Sequence, residues 1–276
     1  MTDAKTDETP SPATGVLLIH GLGGTQYDLG ALLKALQRAG THVQAPTLPG
    51  HGTRPEDLLH VSAEDWLTAV HHKYQEMLQT HETVHIVGMC MGSLLAVELA
   101  KRVRHQRGKL AVLAAPIYID GWSTPWYRGV RHALSRLDYF CRRIKIMEEE
   151  PFGIKNNLLR AIVKKKLDAG ESFHYGWVPL AAVRQVDRLR AWVTRNLDHI
   201  QCPTLVVHAR EDELTSLKSA QFLMSQLTHA PKQLEVLENS YHMICVDNDR
   251  NQVVKSVLDH LGLAPARPSA SPTEKN

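Results

Sequence analysis

Thr83-Val84-His85-Ile86-Val87-Gly88-Met89-Cys90-Met91-Gly92-Ser93, continuing into Leu94-Leu95-Ala96-Val97, carries the most structural information in this 276-residue chain. Thr83–Gly88 is a short run rich in β-branched residues, as a parallel strand covered on both faces requires. From Met91 to Val103 the pattern is helical. Between them, glycines stand two before and two after Cys90, the spacing G-x-S-x-G of a nucleophile elbow with Cys in the Ser position. A strand-to-helix turn this tight admits only small residues at the flanking positions. The turn lifts its central side chain above the sheet, at the N-terminus of the next helix. The helix dipole there favours an anion, and a thiolate gains more from it than a neutral hydroxyl. A structural cysteine between two chance glycines is the competing interpretation; the strand–turn–helix context favours the nucleophile.

Strand and helix patterns alternate on both sides of this segment. Gly15–His20 is a buried-strand run, Asp28 is placed to cap a helix carrying Leu29, Leu32, Leu33 and Leu36, and Gly40 is placed to close it. His42–Pro46 is a second strand. Ser62 with Asp65 forms a capping-box pattern ahead of a helix with Trp66, Ala69, Val70, Tyr74, Met77 and Leu78 on one face. Leu110–Ala114, Thr204–Ala209 and Gln233–Leu237 complete the strands, and a last helix spans about Asn248 to His260. Parallel strands need crossover connections, so this alternation predicts an α/β fold, a mostly parallel doubly wound sheet of about six or seven strands.

The alternation breaks between residues 118 and 196, where aromatic and basic residues follow a helical pattern with no convincing strand. Residues 121–195 hold 15 Lys+Arg and 7 Asp+Glu, a net +8, which leaves −5 elsewhere and +3 in total. This segment is expected to be a helical lid (118–196) over the C-terminal sheet edge, where open α/β sheets bind ligands. The core is then 15–117 with 197–263, and the Pro-rich ends, 1–14 and 264–276, are expected to be disordered. At 43% hydrophobic and 22% charged, the composition excludes a mainly disordered chain, a collagen-like repeat and a disulfide-dense miniature. No apolar run approaches the roughly 20 residues of a membrane span. Residues 1–15 lack the apolar core of a secretory signal. Four cysteines are too few for a disulfide framework and are not spaced as zinc ligands, so a cytoplasmic location is expected. Cys141, Cys202 and Cys245 are most simply packing residues.

A nucleophile at Cys90 needs a base and an orienting acid, expected in the order nucleophile, acid, base. Asp212 follows the strand Thr204–Ala209 and His242 follows Gln233–Leu237, so both lie beyond strand C-termini and can converge on Cys90. Asp120, Glu211 and Glu213 are rival acids. The oxyanion needs two backbone N–H groups. Met91 supplies one, and Leu22, in the turn His20-Gly21-Leu22-Gly23-Gly24, the other. That turn lacks both dinucleotide-loop spacing and a P-loop lysine, so phosphate binding is the weaker alternative.

LLIHGLGGT, APTLPGHG, EDWLTAV, IVGMCMGS, PTLVVHAREDELTS and SYHMICVD together make the sequence resemble the α/β-hydrolase fold, and within it the bacterial carboxylesterase and monoacylglycerol-lipase-like group. The resemblance spans nearly the whole chain outside the lid and departs from the family at Cys90. It implies Cys90, Asp212 and His242 as the triad and Leu22 and Met91 as the oxyanion-hole residues. His51, in LPGHG, is assigned a structural or pocket-shaping part. The expected function is hydrolysis of an acyl ester or thioester through an acyl-Cys intermediate. Two alternatives remain open. One is an acyltransferase using acyl-CoA or an acyl carrier protein, which the basic segment would suit; that segment is equally explained as solvated helix faces. The other is a non-catalytic ligand-binding scaffold. An apolar substrate pocket is expected around Gly21, Met89, Trp122, Trp126 and Tyr127, with Leu22, Met91 and Phe173 as further walls. No cofactor, metal or nucleic-acid partner is expected.

Overall fold

The computed structural model describes residues 14–123, 138–169 and 174–263. Of the expected disordered ends, 1–14 and 264–276, all but Thr14, which opens the first strand, lie outside the described residues, as do the wall residues Trp126, Tyr127 and Phe173.

Strands β1 (Thr14–Ile19), β2 (His42–Gln44), β3 (Thr83–Met89), β4 (Leu110–Leu113), β7 (Thr204–Ala209) and β8 (Lys232–Leu237) form one sheet in the order β2-β1-β3-β4-β7-β8. Every pairing in it is parallel. Helices α1 (Gly30–Arg38), α2 (Ala63–Thr80), α3 (Met91–Arg102) and α6 (Lys218–Gln226) lie in crossovers, and α7 (Arg250–Leu261) follows the last strand. This is the α/β-hydrolase architecture. The order places β3 near the middle, with Ile19 opposite Gly88 and Met89 opposite Leu113, so the residue that leaves β3 emerges between β1 and β4.

Alternation along the strands divides the core in two. Leu17, Ile19, Ile86, Val112 and Val206 enter one cluster with Trp66, Val70 and Leu94 from α2 and α3. Val16, Leu18, Val87, Leu113 and Val207 enter the other with Leu32 and Leu36 of α1 and Val253 and Val257 of α7. Both faces are apolar, which is why these strands read as continuous hydrophobic runs.

β4 pairs directly with β7, so the chain leaves the sheet after β4 and returns at β7. Within this excursion lie a one-turn helix (Asp138–Cys141), β5 (Lys145–Met147), α4 (Asn157–Asp168), β6 (Trp177–Pro179) and α5 (Leu180–Val193). The expectation of a strandless insertion is corrected here, because β5 and β6 pair antiparallel. Each is three residues long, too short for a period-2 pattern to register. α5 packs on α3, with Val186, Leu189 and Val193 in the first core cluster. No helix of the described residues is long and apolar enough to cross a membrane.

The capping box forms as expected: Ser62 Oγ accepts from Asp65 N, and Asp65 accepts from Ser62 N. Asp28 does not cap α1. Thr25 caps a short 3-10 turn, Gln26–Leu29, and α1 begins after it at Gly30. The Asp28 carboxylate is instead buried against a residue from the insertion, described below. α6 has no counterpart among the expected helices; its first turn has no side-chain cap, and it buries only Ser219, Ala220 and Leu223.

Candidate active site

Cys90 sits between β3 and α3 with φ 54° and ψ −125°, a conformation non-glycine residues rarely hold. The surrounding backbone imposes it. Cys90 N–H donates to Leu113 O (3.0 Å), while Cys90 O accepts from Ser93 N (2.9 Å) and Ser93 Oγ (2.6 Å). Both flanking glycines are required by space. A Cβ on Gly88 would lie 2.1 Å from Gly92 O, and one on Gly92 would lie 2.2 Å from Ile19 O. Gly21 also leaves room above the thiol, since a Cβ there would come within 3.0 Å of Cys90 Cβ.

All four cysteines are reduced, and Cys90 alone is partly exposed. Burial pushes the thiols of Cys202 and Cys245 up to about 11 and about 12, which suits them to packing rather than chemistry. Cys141 is buried in a small cluster with Leu180 and Ala181. The expectation that Met89 and Met91 wall a pocket is corrected. Met89 belongs to the second core cluster and Met91 to the first, on opposite faces of the sheet. Each is at most 1% exposed, because an elbow that turns Cys90 outward turns both neighbours into the core. Met91 opens α3, so its N–H has no intrahelical acceptor and is free for an oxyanion. Leu22 lies in the turn after β1 that Gly24 N closes on Gly21 O (3.4 Å).

Asp212 and His242 come together beyond β7 and β8. His242 Nδ1 and Asp212 Oδ2 are 2.8 Å apart, with side chains 6% and 0% exposed. Asp212 Oδ1 accepts from Leu214 N (3.0 Å) and Thr215 N (2.9 Å), which fixes the carboxylate plane. Burial opposes a charge on His242, but Asp212 and the sulfur of Cys90 outweigh it and hold the imidazole well above its ordinary value. Burial likewise raises Asp212, and its contact with His242 more than reverses this, leaving the carboxyl below the usual range. With Nδ1 committed to Asp212, Nε2 is the ring nitrogen left for proton exchange. It is buried, and the Cys90 thiol lies close enough to the ring for both its charge and its hydrogen bonding to favour the protonated imidazole. Such contacts commonly tighten only when substrate binds.

The rival acids are engaged elsewhere. Asp120 accepts from Ser216 N (3.0 Å) and Oγ (2.8 Å), and Glu211 pairs with Lys155 (2.7 Å). Glu213 has a part the sequence did not reveal: its Oε2 accepts from His242 N (3.0 Å), holding the histidine's backbone. Burial and neighbouring Asp212 raise its carboxyl pKa. His51 is buried against His20, Trp66 and Tyr175. Trp122 is 61% exposed, donates to Glu211 O (3.2 Å) and rests edge-on against Tyr241.

A second unforeseen residue is Asp247, which is fully buried and accepts four backbone N–H groups: Tyr241 and Asn248 (each 2.9 Å), Lys155 (2.7 Å) and Asn156 (2.9 Å). It ties the His242 loop to the start of α4. Asp247→Ala leaves these donors without an acceptor and is expected to cost about 3 kcal/mol. That corresponds to a melting temperature lower by about 6–12 °C in calorimetry; an unchanged melting temperature would contradict the assignment.

The model of the family described as "Serine aminopeptidase, S33" (Hydrolase_4) matches residues 10–249. The chain belongs to this family. It is 28% identical to a thermostable monoacylglycerol lipase of Bacillus sp. (strain H-257), over 89% of each protein. It is also 28% identical to a carboxylesterase of Bacillus subtilis (strain 168), covering 92% of this chain and 96% of that one. Among solved structures, the metagenome-derived lipolytic enzyme structure of the LipS and LipT study superposes with a TM-score of 0.77 at 23% identity, over 91% of this chain and 94% of the other. A monoglyceride lipase from Saccharomyces cerevisiae superposes with 0.76 at 17% identity, over 93% and 88%. This member of the family is a hydrolase by lineage, and it has Cys90 at the elbow of a family described by its serine.

Proposed function

We propose that this chain hydrolyses acyl esters or thioesters with Cys90 as nucleophile, His242 as general base and acid, and Asp212 as the group that orients His242. The observation that carries this reading is the convergence of the strained Cys90 elbow with the buried His242–Asp212 pair. His242 Nε2 takes the thiol proton, and sulfur attacks the acyl carbonyl. Leu22 N–H and Met91 N–H hold the resulting oxyanion. Its collapse breaks the bond to the alcohol or thiol, which leaves with the proton from His242. Water, deprotonated by His242, then cleaves the acyl-thioester, releasing the carboxylic acid and restoring the Cys90 thiol.

The sulfur bears on substrate class. A thiolate is a better leaving group than an alkoxide, so the tetrahedral adduct of a simple alkyl ester tends to expel Cys90 again. An imidazole held well above its usual pKa opposes this by protonating the departing oxygen. Thioesters and activated esters escape the problem, because their own leaving groups depart readily. The names of the relatives, a monoacylglycerol lipase and a carboxylesterase, support an ester over a peptide.

The test is intact mass spectrometry of the protein mixed with p-nitrophenyl acetate or butyrate, or with a short acyl-CoA. An adduct of one acyl group that is absent from Cys90→Ala is expected, with free acid as product. The absence of both an adduct and turnover with every donor would refute covalent catalysis at Cys90. Accumulation of an acylated alcohol or amine when such acceptors are supplied would identify a transferase instead.

A further inference from the structure

His174, in the inserted segment just before β6, lies against the turn that carries Leu22, far from it in sequence. Its Nδ1 is 3.0 Å from Asp28 Oδ2, and its Nε2 is 3.8 Å from Glu148 Oε1, the residue that follows β5. The His174 and Asp28 side chains are 16% and 5% exposed, so the pair is largely withdrawn from water. The glycines of the turn are shaped around it. A Cβ on Gly24 would fall 1.6 Å from Asp28 Oδ2 and 3.2 Å from His174 Nδ1, and one on Gly23 would fall 3.3 Å from His174 Nε2. Two backbone bonds extend the contact: Tyr175 N–H donates to Gly23 O (2.8 Å), and Glu148 N–H donates to Gly176 O (3.0 Å). Tyr175 Oη also donates to Gly50 O and accepts from Thr53 N, each at 3.0 Å.

We propose that His174 is a positioning residue: as an imidazolium clamped between Asp28 and Glu148, it fixes the Gly21–Gly24 turn and thereby aims Leu22 N–H at the developing oxyanion. The inference rests on the assignment of Leu22 N–H to the oxyanion hole. It assigns the inserted segment a part in completing the catalytic site.

The charge state follows from the surroundings. Burial opposes protonation, but Asp28 and then Glu148 outweigh it, and the His174 pKa is raised well above its ordinary value. The other titratable groups facing it are His20 and His51, whose own pKa values burial lowers, that of His51 to about 4. Both are therefore neutral near pH 7 and do not compete for the proton. His174 is charged at neutral pH and loses its charge on the alkaline side.

The test measures rates of Cys90 acylation by p-nitrophenyl butyrate in the full chain, its His174→Gln and Asp28→Asn variants, and the double variant. Each single variant is expected to lower the acylation rate about 10- to 100-fold with KM changed less than about twofold, because a donor is misaimed while the binding surface is intact. The double variant should be no worse than the singles. Wild type should show a steeper alkaline decline in acylation rate than His174→Gln, which keeps only the part that His242 contributes, and a purely structural residue would not produce that difference. Thermal melting and far-UV circular dichroism identify variants that fail to fold; His174→Asn then serves in place of any such His174 variant. If wild type forms no acyl adduct, the hydrolase reading fails. If wild type acylates and folded His174→Gln acylates at the same rate with the same pH profile, the positioning assignment alone is overturned.

Discussion

Replacing His242 with alanine is expected to slow acylation of Cys90 at pH 7 by about 10^2- to 10^4-fold, the contribution of a positioned general acid–base group. His242 Nδ1 lies 2.8 Å from Asp212 Oδ2, and the sulfur of Cys90 acts on the same ring, so one substitution removes both the base and the acid. The lost rate should return in part in alkaline solution, where hydroxide can take the proton that His242 no longer takes. A serine hydroxyl, a far weaker acid than a thiol, would recover less, so the pH-rate profile of His242→Ala separates a thiol nucleophile from a hydroxyl. Stopped-flow release of p-nitrophenol measures it. A loss smaller than about tenfold at pH 7 would exclude His242 as the base.

Acidification from pH 7.5 to 4.5 is expected to remove about 5 kcal/mol or more of stability. Burial lowers the pKa values of His51, His85 and His105 to about 4 each from 6.5, and none of the three is more than 4% exposed. Between those values the unfolded chain binds protons that the folded chain refuses, so stability is complete above pH 6.5 and falls as pH drops toward 4. Each histidine contributes about 2 kcal/mol by pH 4.5. His20 and His208, also lowered by burial, act in the same direction. His174 and His242 act in the opposite direction: their raised pKa values contribute stability below pH 6.5 that is lost as pH rises, which offsets part of the loss. Urea unfolding followed by tryptophan fluorescence at several pH values measures the balance. A free energy that is flat from pH 7.5 to 4.5 would show that these histidines are not buried neutral.

Much of the fold is legible locally because it depends on local rules. The apolar runs at Leu17–Ile19, Val84–Val87 and Leu205–Val207 can only be strands covered on both faces, and Ser62 with Asp65 can satisfy each other's backbone wherever the helix docks. Three-residue β5 and β6 carry no period to detect. The expected cap at Asp28 is a failure of the same kind in reverse: the residue type suits a cap, but a partner 146 residues away claims the carboxylate.

The candidate site divides along that line. The sequence by itself determined the elbow around Cys90, because the clash distances at Gly88 and Gly92 leave no other residue there, and it determined the order in which Cys90, Asp212 and His242 follow their strands. Only the tertiary structure decided that Asp212 rather than Asp120 meets His242, that Glu213 and Asp247 hold the His242 loop, and that Met89 and Met91 turn into the core. The partners of the three carboxylates depend on which loops the sheet order brings together at its C-terminal edge, and the burial of the two methionines on helices packed against both faces. Turns and strand periods are written within a few neighbouring residues; a carboxylate's partner is chosen by whatever donor folding places within about 3 Å of it.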